Sequence, residues 1–156
     1  MQWQEVCENK HLRNLPFKVE LDHEGKIIMT PVKVNHSILQ GKIIGFMYQY
    51  LSGGEALAEC AIKTREGTKV ADVAWASNKL LTKIENETEC SIAPDICVEV
   101  LSFSNTKREI MGKKALYFEA GALEFWICDS FGNMSFFSKE DEFDGSSLAS
   151  GFPTLI

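Results

Sequence analysis

Two apolar stretches decide the fold: "VADVAWAS" at residues 70–77 and "PDICVEVLSFS" at residues 94–104. Runs of this kind are typical of strands that are buried on both faces of a sheet. Each run nevertheless contains an acid, Asp72 in the first and Glu99 in the second, and Asp95 stands at the entrance of the second run. A carboxylate removed from water is costly unless it is paired or binds a metal ion, so these acids need an explanation.

Alternating apolar residues between turn signals predict further strands beside these two. Residues 17–31 predict a hairpin that turns at "DHEG", and residues 55–64 predict a strand that joins "TKVADVAWAS" through "REG". Residues 123–139 predict a closing hairpin with its turn at "SFGN". Residues 78–93 are polar and predict an irregular loop.

Two segments have the apolar spacing of helices that pack on a sheet. The first covers residues 34–51, with Asn35 as its predicted N-cap. The second covers residues 104–121, where Ser104 or Asn105 can cap the first turn. The order of the elements predicts an α/β (α+β) fold, in which α-helices flank both faces of a mixed central β-sheet.

The composition is that of an ordinary globular protein, because 45% of the 156 residues are hydrophobic and 24% are charged. This length favours a single domain over residues 1–156. No apolar run reaches the ~20 residues that cross a bilayer, and the N-terminus is charged where a signal peptide would be apolar. We therefore expect a cytoplasmic protein with no membrane partner. The net charge of −6 argues against non-specific binding of polyanions.

The two acids within strands fit a site for a divalent cation. Because side chains alternate along a strand, Asp72 and Glu99 can converge if their strands are neighbours. Two close carboxylates repel, and a divalent ion relieves both this repulsion and the loss of water. Carboxylate oxygens completed by water suit Mg²⁺ or Mn²⁺ better than zinc, and such an ion can activate water for phosphodiester hydrolysis. The alternative is a structural acid satisfied by backbone N–H groups, which is favoured for Asp95.

The stretch "PDICVEVLSFSNTKREIMGKKALYFEAGALEFWICD", residues 94–129, resembles the signature of the Uma-two family of endonucleases. The preceding strand, "TKVADVAWAS", and the N-terminal segments "VELDHEGKIIMTP" and "NHSILQGKI" are also similar to those of the family. The resemblance implies membership of the PD-(D/E)XK restriction-endonuclease-like superfamily. It therefore implies a mixed central sheet flanked by helices and a phosphodiesterase centre that depends on Mg²⁺.

The same resemblance implies roles for particular residues. Asp72 matches the first motif acid and Glu99 the second, and the backbone carbonyl of Val100 would join them in holding the metal. The superfamily lysine is expected two residues after the glutamate, where this chain has Leu101. Lys113, on the following helix, is the predicted substitute, and a lysine exposed to solvent is the alternative.

Other charged residues near these motifs are further candidates. Those that could contact a phosphate backbone are Lys107, Arg108 and Lys114. Those that could approach the metal, with capping or solvent-facing roles as the alternative, are Glu20, His36, Glu59 and Asp95.

The sequence thus predicts an endonuclease that depends on Mg²⁺ or Mn²⁺ and acts on nucleic acid, with DNA as the favoured substrate. The alternative is a catalytically degenerate protein of the same fold that binds or regulates. The apolar C-terminal "GFPTLI", residues 151–156, and the hairpin before it could form the edge of a homodimer.

Overall fold

The computed structural model describes residues 1–156. Its α-helices are α1 (Trp3–Glu8), α2 (Val34–Tyr50), α3 (Asn78–Ile84) and α4 (Lys107–Glu119), and a 3₁₀ helix covers Lys10–Leu12. Its strands are β1 (Phe17–Leu21), β2 (Ile27–Pro31), β3 (Gly54–Thr64), β4 (Gly67–Ser77), β5 (Ile96–Val100), β6 (Glu124–Cys128), β7 (Met134–Phe137) and β8 (Glu142–Phe143). None of the helices combines the length and the apolar character needed to cross a membrane.

Six strands form the main sheet, in the order β3-β4-β5-β6-β7-β8. Neighbouring strands run antiparallel except for β5 and β6, which are parallel. Parallel neighbours need a long crossover connection, and α4 with its flanking loops supplies it. The predicted fold class, a mixed central sheet flanked by helices, is confirmed.

Helices cover both faces of the main sheet, which explains why most residues of β4 and β5 are apolar. On one face α4 buries Ile110 and Phe118, and on the other α2 buries Leu39, Ile43 and Met47. A strand covered on both faces has no side that is open to water. Any charged residue within it must therefore find its partners inside the protein.

The predicted N-terminal hairpin is present, but β1 and β2 form a separate two-stranded sheet. This hairpin lies against β4, where Lys69 Nζ donates to the Leu21 carbonyl at 3.1 Å. The turn that follows β1 meets the turn that precedes β4. A Cβ on Gly67, whose φ is +86°, would come within 2.3 Å of the Asp22 carbonyl oxygen. Position 67 therefore requires glycine, and this close contact fixes the hairpin beside β4.

The start of α2 differs from the prediction. The helix begins at Val34 and has no side-chain cap at the residue before it. The Asn35 side chain, predicted as the N-cap, lies inside the helix and donates to the Ser130 carbonyl at 3.0 Å. This contact ties the first turn of α2 to the loop that follows β6.

The start of α4 also differs from the prediction. Its N-cap is Thr106, whose hydroxyl accepts from the Glu109 amide, while the Glu109 carboxylate accepts from the Thr106 amide. The predicted caps, Ser104 and Asn105, lie in the turn before the helix, where both contact Ser102. This reciprocal pair of hydrogen bonds needs Glu or Gln three residues after the cap, and position 106 meets that condition.

Residues 78–93 are not wholly irregular, because α3 occupies the first part of the segment and buries Ile84. The C-terminal segment 151–156 is engaged within its own chain. The Phe152 ring lies 4.6 Å from the Trp126 ring, and the Met134 amide donates to the Thr154 carbonyl at 2.9 Å. This segment therefore contributes to the packing of its own chain, while Leu155 within it is exposed.

Candidate active site

The two acids of the central strands face one another. Strands β4 and β5 are antiparallel, and Val73 of β4 lies opposite Val98 of β5. The next pair in this register is therefore Asp72 and Glu99. Asp72 is 1% exposed and Glu99 is 3% exposed. Carboxylates buried this deeply need compensating charges or hydrogen bonds, and three other elements, β1, α2 and α4, supply most of them.

The ammonium of Lys18 lies between the two acids. Its Nζ is 2.8 Å from Asp72 Oδ1 and 3.3 Å from Glu99 Oε2, and its side chain is 8% exposed. Sequence reasoning missed this residue, because a lysine on a short hairpin strand is usually solvated. The alternation of "KVEL" could have indicated its role, because it places Lys18 and Glu20 on the same face of β1.

Lys113 and Tyr117 reach Glu99 from α4. Lys113 Nζ is 3.3 Å from Glu99 Oε2 and 2.8 Å from Glu20 Oε1, and the Tyr117 hydroxyl donates to Glu99 Oε1 at 2.7 Å. Residues four apart share a helix face, so a single face of α4 presents both groups to the sheet. Glu20 also accepts from the Val70 amide at 2.7 Å. The structure thus brings Glu20 and Lys113 together with the two acids.

His36 and Val100 hold the other oxygen of Asp72. His36 Nε2 lies 3.3 Å from Asp72 Oδ2, and the Val100 amide donates to the same oxygen at 2.8 Å. The Gln40 side chain contacts His36 Nδ1 at 3.1 Å and donates to the Asp72 carbonyl at 2.9 Å. Both oxygens of Asp72 are therefore fixed in position.

Opposing effects set the protonation of the site. Burial raises the pKa of Asp72, but attraction to Lys18 and hydrogen bonding to His36 lower it by more than burial raises it. The pKa of Asp72 therefore falls below its ordinary value. Burial lowers the pKa of Lys18, yet attraction to Glu99 and Asp72 outweighs this and the pKa rises. For Glu99 burial prevails over attraction to Lys113 and Lys18, and the pKa rises. The pKa values of the two acids are thus shifted in opposite directions, downward for Asp72 and upward for Glu99.

The remaining ionisable groups of the site shift in accordance with their neighbours. Burial raises the pKa of Glu20, but Lys113 and Lys18 outweigh it and the net shift is downward. The hydrogen bond to Asp72 raises the pKa of His36. Burial raises the pKa of Tyr117, so its hydroxyl stays a donor to Glu99 at neutral pH.

A small cavity of about 30 Å³ adjoins these groups. Thr30, Pro31 and Val32, which end the N-terminal hairpin, form one side, and Val100 and Ser102 form another. Roughly 10–15 Å³ holds one water molecule, so this cavity has room for water or an ion.

The donor chemistry of the site fits a hard divalent cation. Two carboxylates from adjacent strands supply the oxygen ligands that Mg²⁺ and Mn²⁺ prefer. No three His, Cys, Asp or Glu side chains are arranged as a ready ligand set, and the Lys18 ammonium lies between the two best donors. The residues therefore fit such an ion if Lys18 moves aside.

Two predicted acids lie outside this cluster. The Asp95 carboxylate accepts from the Ser77 amide at 2.6 Å, at the far end of the β4–β5 pair. This contact is the kind of backbone N–H bond named above as the alternative to a metal-binding role. Glu59 is exposed and reaches the site only through Gln40, which donates to it at 2.6 Å. Both acids therefore have partners away from Glu99.

The predicted phosphate contacts lie outside the cluster as well. Lys107 and Arg108 are exposed in the first turn of α4. The Lys114 ammonium lies 4.9 Å from the centre of the Phe137 ring, on a different side of the helix from Lys113. None of the three contacts an acid of the site.

Acids on two adjacent central strands, a lysine on the next helix and a mixed sheet between helices define a restriction-endonuclease-like fold. The chain belongs to the family whose model is described as "Uma2: Putative restriction endonuclease", which matches residues 3–142. It is also similar to a crystal structure described as "a putative nuclease belonging to DUF820" from Anabaena variabilis ATCC 29413. That likeness has a TM-score of 0.72 at 19% identity and covers 96% of this chain and 92% of the other, so it shows the fold. Among curated proteins no relative matches the chain significantly.

Proposed function

We propose that the protein is an endonuclease that depends on a divalent metal and hydrolyses phosphodiester bonds of nucleic acid, with DNA as the expected substrate. One observation carries the proposal: Asp72 and Glu99, from adjacent central strands, meet beside Lys113. Membership of the restriction-endonuclease family supports this class of activity.

Asp72 and Glu99, with the backbone carbonyl of Val100, are the groups that would hold Mg²⁺ or Mn²⁺. Such an ion supplies Lewis-acid stabilisation of phosphoryl oxygens and a bound water of lowered pKa. His36 fixes Asp72 and Tyr117 fixes Glu99, so the two carboxylates keep one relative orientation. Preorganisation of this kind lowers the cost of reaching the transition state.

Lys113 is the group that would orient the attacking water and stabilise the charge that develops on the phosphate. Glu20 and Glu99 both hold its ammonium, which keeps it at the edge of the acids. In this scheme Glu20 is a positioning residue. The groups that would contact the phosphate backbone beyond the site are Lys107, Arg108 and Lys114.

A catalytically degenerate protein that binds or regulates is the second candidate. It is favoured by one observation, the Lys18 ammonium, which already compensates both acids. The two candidates differ in their response to Mn²⁺, because only a working centre gives both a heat of binding and metal-dependent cleavage.

We also propose that residues 1–156 act as one domain, because the N-terminal hairpin and α4 both contribute to the same site. A homodimer would suit cleavage of both strands of a duplex. Sedimentation at several protein concentrations tests this point, and a constant monomer mass rejects it.

Cleavage of plasmid and single-stranded DNA, with and without Mg²⁺, tests the proposed activity. We expect cleavage by the wild type with Mg²⁺, a loss of at least about 100-fold in Asp72→Ala and Glu99→Ala, and a similar loss in Lys113→Met.

The matched control is Glu59→Ala, which removes an exposed acid that reaches the site only through Gln40. This variant should cleave within about threefold of the wild type. Equal cleavage by the wild type and the Asp72 and Glu99 variants rejects the proposal.

A further inference from the structure

Lys18 occupies the position that a bridging cation needs. A divalent ion held by Asp72 and Glu99 would lie roughly 2–2.6 Å from one oxygen of each carboxylate. The Lys18 ammonium contacts one oxygen of each, at 2.8 Å and 3.3 Å. Two cations cannot share this position, because they would repel each other in a largely dry interior.

The other oxygens of these acids do not offer an equivalent second position. Asp72 Oδ2 is held by His36 and the Val100 amide, and Glu99 Oε1 is held by Tyr117. The oxygens that both acids direct to a common point are those that contact Lys18. A bridging ion must therefore replace this ammonium.

Lys18 also connects the site to the N-terminal hairpin. It lies on β1, and residues 30–32 at the end of the same hairpin form one wall of the cavity of about 30 Å³. Asp72 and Glu99 are almost fully buried and Lys18 of the hairpin contacts both, so this side chain must move before a phosphodiester can reach the oxygens that it contacts. The ion pairs of Lys18 are among the contacts that hold the hairpin in its present place.

We propose that Lys18 is an exchangeable internal cation, which a divalent ion displaces from Asp72 and Glu99 when it binds, so that metal binding also loosens β1 from the site. This inference rests on the proposed function only in placing the ion between these two acids. It predicts that Lys18 weakens metal binding, whereas a residue that assists the metal would strengthen it.

Calorimetric titration with Mn²⁺ tests the inference without reference to cleavage. We expect Lys18→Met to bind Mn²⁺ at least about tenfold more tightly than the wild type, because no internal cation has to leave. Lys18→Arg keeps the charge and should bind no more tightly than the wild type. The matched control is Lys69→Met, which also removes a lysine that ties the hairpin to β4 but touches neither acid, and its affinity should change by less than about threefold.

A second measurement uses the wild type alone and applies if Lys18→Met does not fold. Hydrogen exchange of the amides of residues 17–21 should become faster when Mn²⁺ binds. Exchange that stays constant or slows in the presence of a measured heat of binding overturns the inference.

Equal or weaker Mn²⁺ binding by a folded Lys18→Met also overturns the inference, as does an absence of binding in every variant. The proposed function fails separately. If Lys18→Met binds Mn²⁺ and no DNA is cleaved, the exchange of cations stands and the nuclease activity does not.

Discussion

Glu99 has more side-chain partners than any other acid of the site. Its two oxygens contact Lys18, Lys113 and Tyr117, which come from β1 and α4. A buried carboxylate keeps its charge only while such partners remain. Removing only the Tyr117 hydroxyl, a neutral donor, is therefore the mildest way to test how far the buried Glu99 carboxylate depends on its partners.

Tyr117→Phe removes the hydroxyl that donates to Glu99 Oε1 and leaves the ring in the core. We expect the free energy of unfolding to fall by about 1–3 kcal/mol, because a buried acceptor is left without its donor. Urea denaturation measures this change. The matched control is Tyr48→Phe, whose hydroxyl contacts the exposed Glu55 and should change stability by less than about 0.5 kcal/mol. Equal effects of the two substitutions would contradict the expected role of Tyr117.

At this scale the sequence revealed some residues of the cluster and not others. Asp72 and Glu99 were visible because a charge within an apolar strand is conspicuous. Lys113 was assigned through the resemblance, and its position four residues before Tyr117 is consistent with a shared helix face. Lys18 was missed because its burial depends on where the hairpin docks, which is a tertiary fact.

At the scale of elements, the site is assembled by α4 as much as by the sheet. The helix must begin at a fixed position for Lys113 and Tyr117 to face Glu99. The reciprocal hydrogen bonds of Thr106 and Glu109 set that position. The cap therefore affects both stability and the geometry of the site.

Thr106→Ala should lower the free energy of unfolding by about 0.5–2 kcal/mol, because the cap loses its side-chain acceptor. Ser104→Ala, at one of the two positions that the sequence suggested, should change it by less than about 0.5 kcal/mol. Thermal or urea denaturation of both variants measures the difference. A larger effect at Ser104 would show that the helix begins earlier.

Gly67→Ala tests how the N-terminal hairpin is held beside β4. The new Cβ would clash with the Asp22 carbonyl and requires an unfavourable positive φ, so we expect a loss of about 1–3 kcal/mol in stability. Gly112→Ala is the control, since its Cβ meets no atom within 4 Å in the middle of α4 and should stabilise by about 0.5–1 kcal/mol. Chemical denaturation of the two variants should therefore give shifts of opposite sign.

The strands were easier to predict than the ends of helices. Period-2 patterns and turn residues indicated both hairpins and the central strands. The N-cap residues predicted for α2 and α4, in contrast, were wrong. Several polar residues near a helix start can serve as the cap, and the choice depends on a partner elsewhere, such as Ser130 for Asn35. Helix α3 was missed because it has only seven residues and lies in a polar segment.

At the scale of the whole molecule, the mixed central sheet and the two helical layers follow from the sequence pattern and the resemblance, whereas the order of the strands does not. The separate hairpin sheet and the return of residues 151–156 to the core do not. Both depend on contacts between distant parts of the chain, which no local pattern records.

A divalent ion that binds the folded protein should stabilise the whole molecule. At a Mn²⁺ concentration about 100 times the dissociation constant, the gain is about 2.7 kcal/mol, which corresponds to a rise in Tm of several degrees. Calorimetric melting of the wild type should show this rise, and Glu99→Ala should not. A similar rise in both proteins would place the bound ion elsewhere.

The ion pairs of Lys18 also bear on the order of folding. The buried carboxylates are compensated by Lys18, which precedes β4 in the chain, and by Lys113, which follows β5. If either segment packs onto the central strands late in folding, these carboxylates lack a compensating charge until it does. An intermediate that had the central strands but lacked the hairpin would have two neighbouring carboxylates without the Lys18 ammonium between them. Such a species should be scarcely populated at neutral pH, and the chain should fold in one cooperative transition.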